Sequence, residues 1–206
     1  NPCKKVKKMG NSGNRSLNFW TIDEYQKFIS TIEPGTRYYI IFEILFWTGC
    51  RIGELLALTK ADIDFENNQI SISKTYYRTD GKDIITKPKT KQSVRVIDIP
   101  NFLKEEIKEY LDGFYEFPED ERIFPIVQEA VQHKMKRHIE KAGVKDIRVH
   151  DLRHSHTSYL IDNGVEPLVI KERLGHKDIR ITLNTYGHLY PNKQKSVADL
   201  LDAKRR

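Results

Sequence analysis

The apolar residues of this chain follow two spacings, and the order of the spacings limits the fold. Apolar side chains recur at helical spacing from about residue 18 to 62, and again from residue 100 onward. Between Ile63 and Ile99 the spacing becomes two, as in Ile70-Ser71-Ile72, with turn residues at 67–68 and 80–81. The sequence therefore predicts an α+β fold that is mainly helical and contains one small antiparallel sheet.

Several helix ends carry local signals. Thr21 followed by Glu24 is a capping-box pattern for a helix that runs to about Ile32. Pro167 and Gly175 bracket a short helix. Further helices are predicted over 38–47, from residue 52, over 100–111, 128–142, around 152–160, over 178–185 and near the C-terminus. A chain of 206 residues with this pattern suits one domain.

The positive charge of the chain is concentrated at its two ends. The net charge is +6, but eight of the 35 basic residues lie within residues 1–16 and 204–206. The remaining 27 basic residues face 29 acidic ones, so overall charge is weak support for a nucleic-acid partner. Residues 1–16, rich in Lys, Gly, Asn and Ser, are predicted to be a basic linker, and residues 17–206 a domain with a C-terminal tail helix.

No segment of the sequence has the character of a membrane span. The longest apolar run, Tyr38–Trp47, is too short for a bilayer and contains Glu43, so we expect a buried helix. We therefore expect no membrane partner.

The cysteines, Cys3 and Cys50, form no disulfide framework and fit a reducing compartment.

Arginine, histidine and tyrosine residues recur in order along the last quarter of the chain. His150 and Arg153 are three residues apart at a predicted helix start, His176 follows a helix-ending glycine, and Tyr186 follows at the end of the next helix. Each alone is more often an ordinary surface or core residue. Together with Arg51, they are the groups needed to hold a phosphodiester and attack it with a phenol.

Two other segments carry candidate groups. Arg51 lies at a helix start, where backbone amides favour an anion, and Glu54 one turn later is placed to orient its guanidinium. The alternative for this pair is a surface ion pair of little value. Lys87, Lys89 and Lys91 lie between two predicted strands, where a turn would present an ammonium group, although a solvated turn is the commoner reading.

These motifs together resemble the catalytic domain of the tyrosine recombinases, most closely the integrases of phages and conjugative transposons. The motifs are Thr-Gly-x-Arg-x-x-Glu-Leu at 48–55, Lys-Thr at 89–90 before Arg-x-Ile-x-Ile-Pro at 95–100, His-x-x-Arg-His at 150–154, Leu-Gly-His at 174–176 and Thr-Tyr-x-His at 185–188. The resemblance implies that family's catalytic-domain fold and a catalytic set on these positions: Arg51, Lys89, His150, Arg153, His176 and the nucleophile Tyr186. Lys87 and Lys91 flank Lys89, so the choice of the catalytic lysine among the three stays open.

A mechanism follows from these residue types. We expect the two arginines to clamp the phosphate, His150 to accept the phenol proton, and His176 to hydrogen-bond the phosphate or assist that transfer. Lys89 is the candidate acid for the departing 5′ oxygen. Because the bond energy is kept in a 3′-phosphotyrosyl ester, rejoining is expected to need no cofactor and no metal.

The resemblance also implies the setting of the reaction. The expected function is site-specific integration or excision of a mobile element in the bacterial cytoplasm. The expected partners are double-stranded DNA attachment sites, a homo-tetramer on DNA and accessory excision or bending proteins. The linker would lead to an N-terminal core-binding domain, and the tail helix would pack in cis or on a neighbouring subunit. The alternatives are nicking and closing of the type IB topoisomerase kind, and a DNA-binding relative without catalysis.

Overall fold

The computed structural model describes residues 18–88, 93–190 and 194–203. Helices and strands follow the predicted order, with the strands gathered between the third and fourth helices. The helices are α1 (Ile22–Ile29), α2 (Arg37–Thr48), α3 (Ile52–Leu55), α4 (Asn101–Asp112), α5 (Gln128–Ala142), α6 (Asp151–Asp162), α7 (Pro167–Leu174), α8 (Ile179–Tyr186) and α9 (Gln194–Ala203). The strands are β1 (Ile63–Asp64), β2 (Gln69–Ile72), β3 (Thr75–Thr79), β4 (Lys82–Thr86) and β5 (Arg95–Asp98).

Helix α2 forms the centre of the core. Its residues from Ile40 to Phe46 are all buried, and it packs against α1, α4 and α6. A helix that is apolar on all sides is stable only when other elements surround it. The prediction that this segment is a buried helix is therefore confirmed. Within the described ranges, no helix is both long and apolar enough to cross a bilayer.

One carboxyl group lies inside this core. Glu43 is 5% exposed and accepts hydrogen bonds from the Tyr25 hydroxyl at 2.6 Å and from Trp47 Nε1 at 2.9 Å. The Tyr25 ring stacks on Phe46, with centroids 3.7 Å apart. Burial raises the pKa of Glu43 to about 7 even though both hydrogen bonds favour the charged form.

The middle segment forms two small antiparallel sheets instead of the single predicted one. Strands β1, β2 and β5 make a three-stranded sheet in the order β1-β2-β5, while β3 and β4 pair only with each other. The chain leaves the first sheet at residues 73–74, where Lys74 pairs with Asp62 at 2.6 Å. The two predicted turns are confirmed, with positive φ at Asn68, Asp80 and Gly81.

Local signals set several helix ends as predicted. Thr21 and Glu24 form both hydrogen bonds of the capping box at the start of α1. Helix α7 begins at Pro167 and ends before Gly175, which is left-handed. Helix α2 ends at Gly49, whose N–H bonds to the Leu45 carbonyl and whose φ of 65° turns the chain out of the helix. The chain then turns directly into the start of α3.

Three sequence predictions concern the ends of the chain and the lysine segment. The predicted linker, residues 1–16, lies outside the described residues, and so do Lys89 and Lys91. The predicted tail helix is confirmed as α9, on which Leu201 is exposed. Lys87, the described member of the lysine segment, is exposed just after β4.

Candidate active site

The fold brings four predicted residues to one side of the helical core. Arg51 precedes the first residue of α3, Arg153 lies in the first turn of α6, His176 follows the end of α7, and Tyr186 is the last residue of α8. Helix α6 contacts both α2 and α7, and α7 contacts α8. Residues far apart in sequence are therefore positioned by four packed helices.

Arg153 is buried and joins two helix ends. Its side chain donates from Nη1 to the Gly49 carbonyl at 2.7 Å and from Nη2 to the Leu174 carbonyl at 2.6 Å. Burial, and then the nearby charge of Arg51, lower the pKa of Arg153 to about 9, so it is still cationic at neutral pH. The positive charges of the two predicted arginines therefore act on the same small volume.

Arg51 and Glu54 form an ion pair at the start of α3. Arg51 Nη1 donates to Glu54 Oε1 at 2.7 Å, and the Arg51 backbone N–H donates to Oε2 at 2.9 Å. The Arg51 side chain is 41% exposed, whereas that of Glu54 is 4% exposed. The guanidinium therefore has a fixed inner edge on a buried carboxylate and an outer edge open to a ligand.

Arg95 is a third arginine at this site, and the sequence analysis did not assign it. It binds Glu54 with two nitrogens and donates from Nε to the Arg173 carbonyl at 2.7 Å. Burial opposes ionisation of Glu54, but hydrogen bonds from Arg95 and Arg51 outweigh it and lower the pKa of Glu54 to about 2. The motif Arg-x-Ile-x-Ile-Pro contained Arg95 and was the signal available for it.

The Tyr186 phenol is buried and bonded to a histidine. Tyr186 is 2% exposed, and its hydroxyl lies 2.6 Å from His154 Nδ1. Burial raises the pKa of Tyr186, while the Thr157 hydroxyl and then the charge of Arg153 act in the opposite direction. The phenol therefore lies within the field of the arginine cluster, with a histidine as its hydrogen-bond partner.

The histidine on the phenol is not the predicted one. His150 is exposed at the start of α6, with no hydrogen bond to Tyr186 among the described contacts. His154, one helical turn later, is more enclosed, and the two imidazole rings are 5.4 Å apart. Residues four apart lie on the same helix face, so His154 takes the position next to the phenol that was predicted for His150. His154 is the last residue of the His-x-x-Arg-His motif at 150–154, and this was the sequence signal that could have identified it.

His154 and His176 are both held in the neutral form. Burial and then the charge of His150 lower the pKa of His154 to about 4, and burial and then Arg153 do the same for His176. His176 Nδ1 lies 2.9 Å from the Thr182 hydroxyl. Desolvation of its imidazole and then the charge of Arg153 also lower the pKa of His150. All three imidazoles are therefore able to accept a proton at neutral pH.

Comparison with known proteins gives the family. The phage integrase family model matches residues 18–193. The ICEBs1 integrase of Bacillus subtilis (strain 168) is 36% identical over 216 residues, covering 98% of this chain and 58% of that protein. Tyrosine recombinase XerA of Thermococcus onnurineus (strain NA1) is 34% identical over 170 residues, covering 79% and 55%. The chain thus spans less than two thirds of the length of these relatives.

Solved structures share the fold. The Tn1549 transposon integrase in complex with a circular intermediate DNA superposes with a TM-score of 0.77 at 22% identity, covering 96% of this chain and 68% of that one. The catalytic domain of bacteriophage HP1 integrase gives 0.62 at 21% identity, covering 89% and 94%. The predicted fold, mainly helical with small antiparallel sheets, is confirmed. Because the family model matches residues 18–193, most of this chain, the chain belongs to the phage integrase family.

Proposed function

We propose that this chain cuts and rejoins DNA in the site-specific integration or excision of a mobile element. The supporting observation is the convergence of a buried phenol, two cationic arginines and neutral histidines at one site, in a chain of the phage integrase family. The catalytic set that we propose is Arg51, His150, Arg153, His176 and Tyr186, with Glu54 orienting Arg51. Lys89, which lies outside the described residues, is proposed as the general acid.

The arginines offset the cost of using a phenol as nucleophile. An ordinary tyrosine costs about 4 kcal/mol to ionise at neutral pH, and the burial of Tyr186 adds to that cost. Arg51 and Arg153 would hold the non-bridging oxygens of the phosphodiester and bind more tightly as charge builds in the transition state. Cleavage would leave a 3′-phosphotyrosyl ester and a free 5′ hydroxyl. Rejoining would reverse the same steps without a nucleotide cofactor or metal.

Access to the phenol requires a local movement. Tyr186 packs in a small apolar cluster with Ile161, Ile170 and Leu174, and partly buried Leu189 and Tyr190 lie against it. The Arg51 side chain is 41% exposed, and His150 is exposed as well. We propose that DNA first meets these exposed groups and that the segment after Tyr186 then opens to admit the phosphate.

The proposed substrate is a double-stranded DNA attachment site. His150 lines a cavity of about 500 Å³ beside α5, together with the exposed cations Lys136 and Arg148. Such side chains supply the phosphate contacts that a nearly neutral body needs locally. We propose further that a homo-tetramer assembles on DNA in the bacterial cytoplasm, with accessory excision or bending proteins, and that residues 1–16 link to a core-binding domain.

A nicked suicide duplex carrying candidate attachment sequences tests the proposal. Wild-type protein is expected to give a protein–DNA band that resists denaturation. Tyr186→Phe should bind the duplex in a gel-shift assay yet form no adduct, and the control Tyr190→Phe should form it. An adduct that survives Tyr186→Phe would rule out this nucleophile. Joining of strands between two duplexes, as opposed to relaxation of a single supercoiled plasmid, separates recombination from nicking and closing.

A further inference from the structure

We propose that His154 accepts the proton of the Tyr186 phenol as the phenol attacks the phosphodiester. The inference rests on the proposed function. It assigns the role of general base, expected from the sequence at His150, to His154. It is carried by the geometry of Asp151 and His154 on α6 and of Tyr186 on α8.

The first contact is the hydrogen bond itself. His154 Nδ1 lies 2.6 Å from the Tyr186 hydroxyl, within the range expected for a base and the proton that it removes. Helix α6 belongs to the core, and the Tyr186 ring is enclosed by Ile161, Ile170 and Leu174. The donor and acceptor are therefore fixed by packing on both sides, which favours proton transfer along a short and defined path.

The second observation is a carboxylate close to the other ring nitrogen. If Nδ1 accepts from the phenol, Nε2 carries the hydrogen, and Nε2 lies 3.9 Å from Asp151 Oδ1. Asp151 is 2% exposed and is held by Arg148, whose backbone N–H and Nη2 donate to it at 2.9 and 2.8 Å. A fixed carboxylate beside Nε2 stabilises the imidazolium that forms once Nδ1 has taken the proton.

The third observation concerns His150, the alternative base. Its ring lies edge-on to that of His154 at 5.4 Å, on the solvent side. Among the described contacts it makes no hydrogen bond to the phenol. His150 is therefore placed to contact the incoming phosphate together with Arg51, while His154 is placed to accept the proton of the Tyr186 hydroxyl.

The proposed step balances as follows. The phenol O–H bond breaks, its proton moves to His154 Nδ1, and the oxygen electron pair forms the new bond to phosphorus. The bond from phosphorus to the 5′ oxygen breaks, and that oxygen is protonated by a separate acid. In rejoining, the 5′ hydroxyl gives its proton back to the separate acid's conjugate base and attacks phosphorus, and the imidazolium of His154 returns its proton to the departing phenol oxygen.

The rate of covalent adduct formation on the suicide duplex tests this assignment. His154→Gln is expected to slow the adduct by about 10²- to 10⁴-fold, while the exposed control His133→Gln on α5 keeps the wild-type rate. A duplex with sulfur in place of the 5′ bridging oxygen needs no acid for departure, so it should not rescue His154→Gln. Placing 3-fluorotyrosine at position 186 lowers the phenol pKa and should recover part of the lost rate, which a purely structural defect would not allow.

Three results would overturn the inference. His154→Gln could form adduct as fast as wild type or faster, as expected if His154 only stores the phenol in a resting state. The bridging sulfur could restore its rate, which would make His154 an acid. Nitrogen-15 NMR of the DNA-free protein could find the hydrogen of His154 on Nδ1 instead of Nε2. An absence of adduct with wild-type protein would count instead against the proposed function.

Discussion

Arg95 and Glu54 form a two-bond ion pair inside the protein, with Nη1 to Oε1 at 3.2 Å and Nη2 to Oε2 at 2.9 Å. Their side chains are 6% and 4% exposed. The same carboxylate holds Arg51, which faces solvent. The position of Arg51 therefore depends on an arginine of strand β5 that it does not need to touch.

Arg95→Leu is expected to destabilise the fold. The substitution leaves the buried carboxylate of Glu54 without its strongest partner, and breaking a buried pair costs about 3–5 kcal/mol. Urea denaturation measures the loss. The control is Arg180→Leu, which breaks the exposed pair with Asp178 and should change stability little. Equal losses in the two variants would contradict this role for Arg95.

Gly49→Ala is expected to cost much more stability than Gly143→Ala. Both glycines end helices at nearly the same φ, 65° and 63°, so both alanines meet a backbone cost of about 1–2 kcal/mol. A Cβ at residue 49 would also lie 2.5 Å from His156 Cδ2, whereas one at residue 143 would meet nothing within 4 Å. The overpacking adds about 1–3 kcal/mol. Thermal denaturation of the two variants measures the difference, and similar values would contradict the tight contact.

Glu43→Gln is expected to gain stability relative to wild type as the pH rises from about 5 to 8. The pKa of Glu43 is raised from 4.5 to about 7, so the folded protein retains a proton that the unfolded chain has lost. The stability that Glu43 contributes is therefore present at low pH and is lost as the pH rises through 7, by a few kcal/mol. Glutamine does not ionise and avoids this loss.

Urea denaturation of wild type and Glu43→Gln at both pH values measures this change. The control is Glu129→Gln, which alters an exposed residue in the first turn of α5. The free energy of unfolding of Glu129→Gln should differ from that of wild type by nearly the same amount at both pH values. A difference for Glu43→Gln that does not vary with pH would show that the buried carboxyl titrates normally.

Thr182→Val is expected to slow formation of the DNA adduct about fivefold, the effect of losing one hydrogen bond worth about 1 kcal/mol. The Thr182 side chain is fully buried and bonds to His176 Nδ1 at 2.9 Å. Valine keeps the shape and removes the bond, leaving the imidazole free to turn. Thr182→Ser keeps the hydroxyl and should retain most of the rate, so equal rates for Val and Ser would argue against this orienting bond.

The sequence predicted elements whose signals are local. Helix α5 has the predicted bounds, 128–142, and the capping box at Thr21 forms as its pattern requires. The division of the strands into two sheets, of which β3 and β4 form the second, escaped prediction. Alternating apolar residues define strands, but they do not say which strands pair.

The sequence identified the site residues through motifs, but it did not predict their partners. The bond between Arg95 and Glu54 joins a strand to a helix, and the bond between His154 and Tyr186 joins α6 to α8. Both depend on how elements pack, which spacing within one element does not encode. The assignment of Lys89 as the acid stays a prediction, as do the proposed roles of the other site residues.

The two hydrogen bonds from Arg153 to backbone carbonyls bear on the choice of an inactive protein for crystallising uncleaved DNA. Replacing Arg153 would strand the Gly49 and Leu174 carbonyls as well as remove a charge, so a dead variant there would confound misfolding with lost chemistry. Tyr186→Phe deletes a single hydroxyl and keeps both hydrogen bonds of Arg153 to the backbone. It is the cleaner trap for a substrate complex.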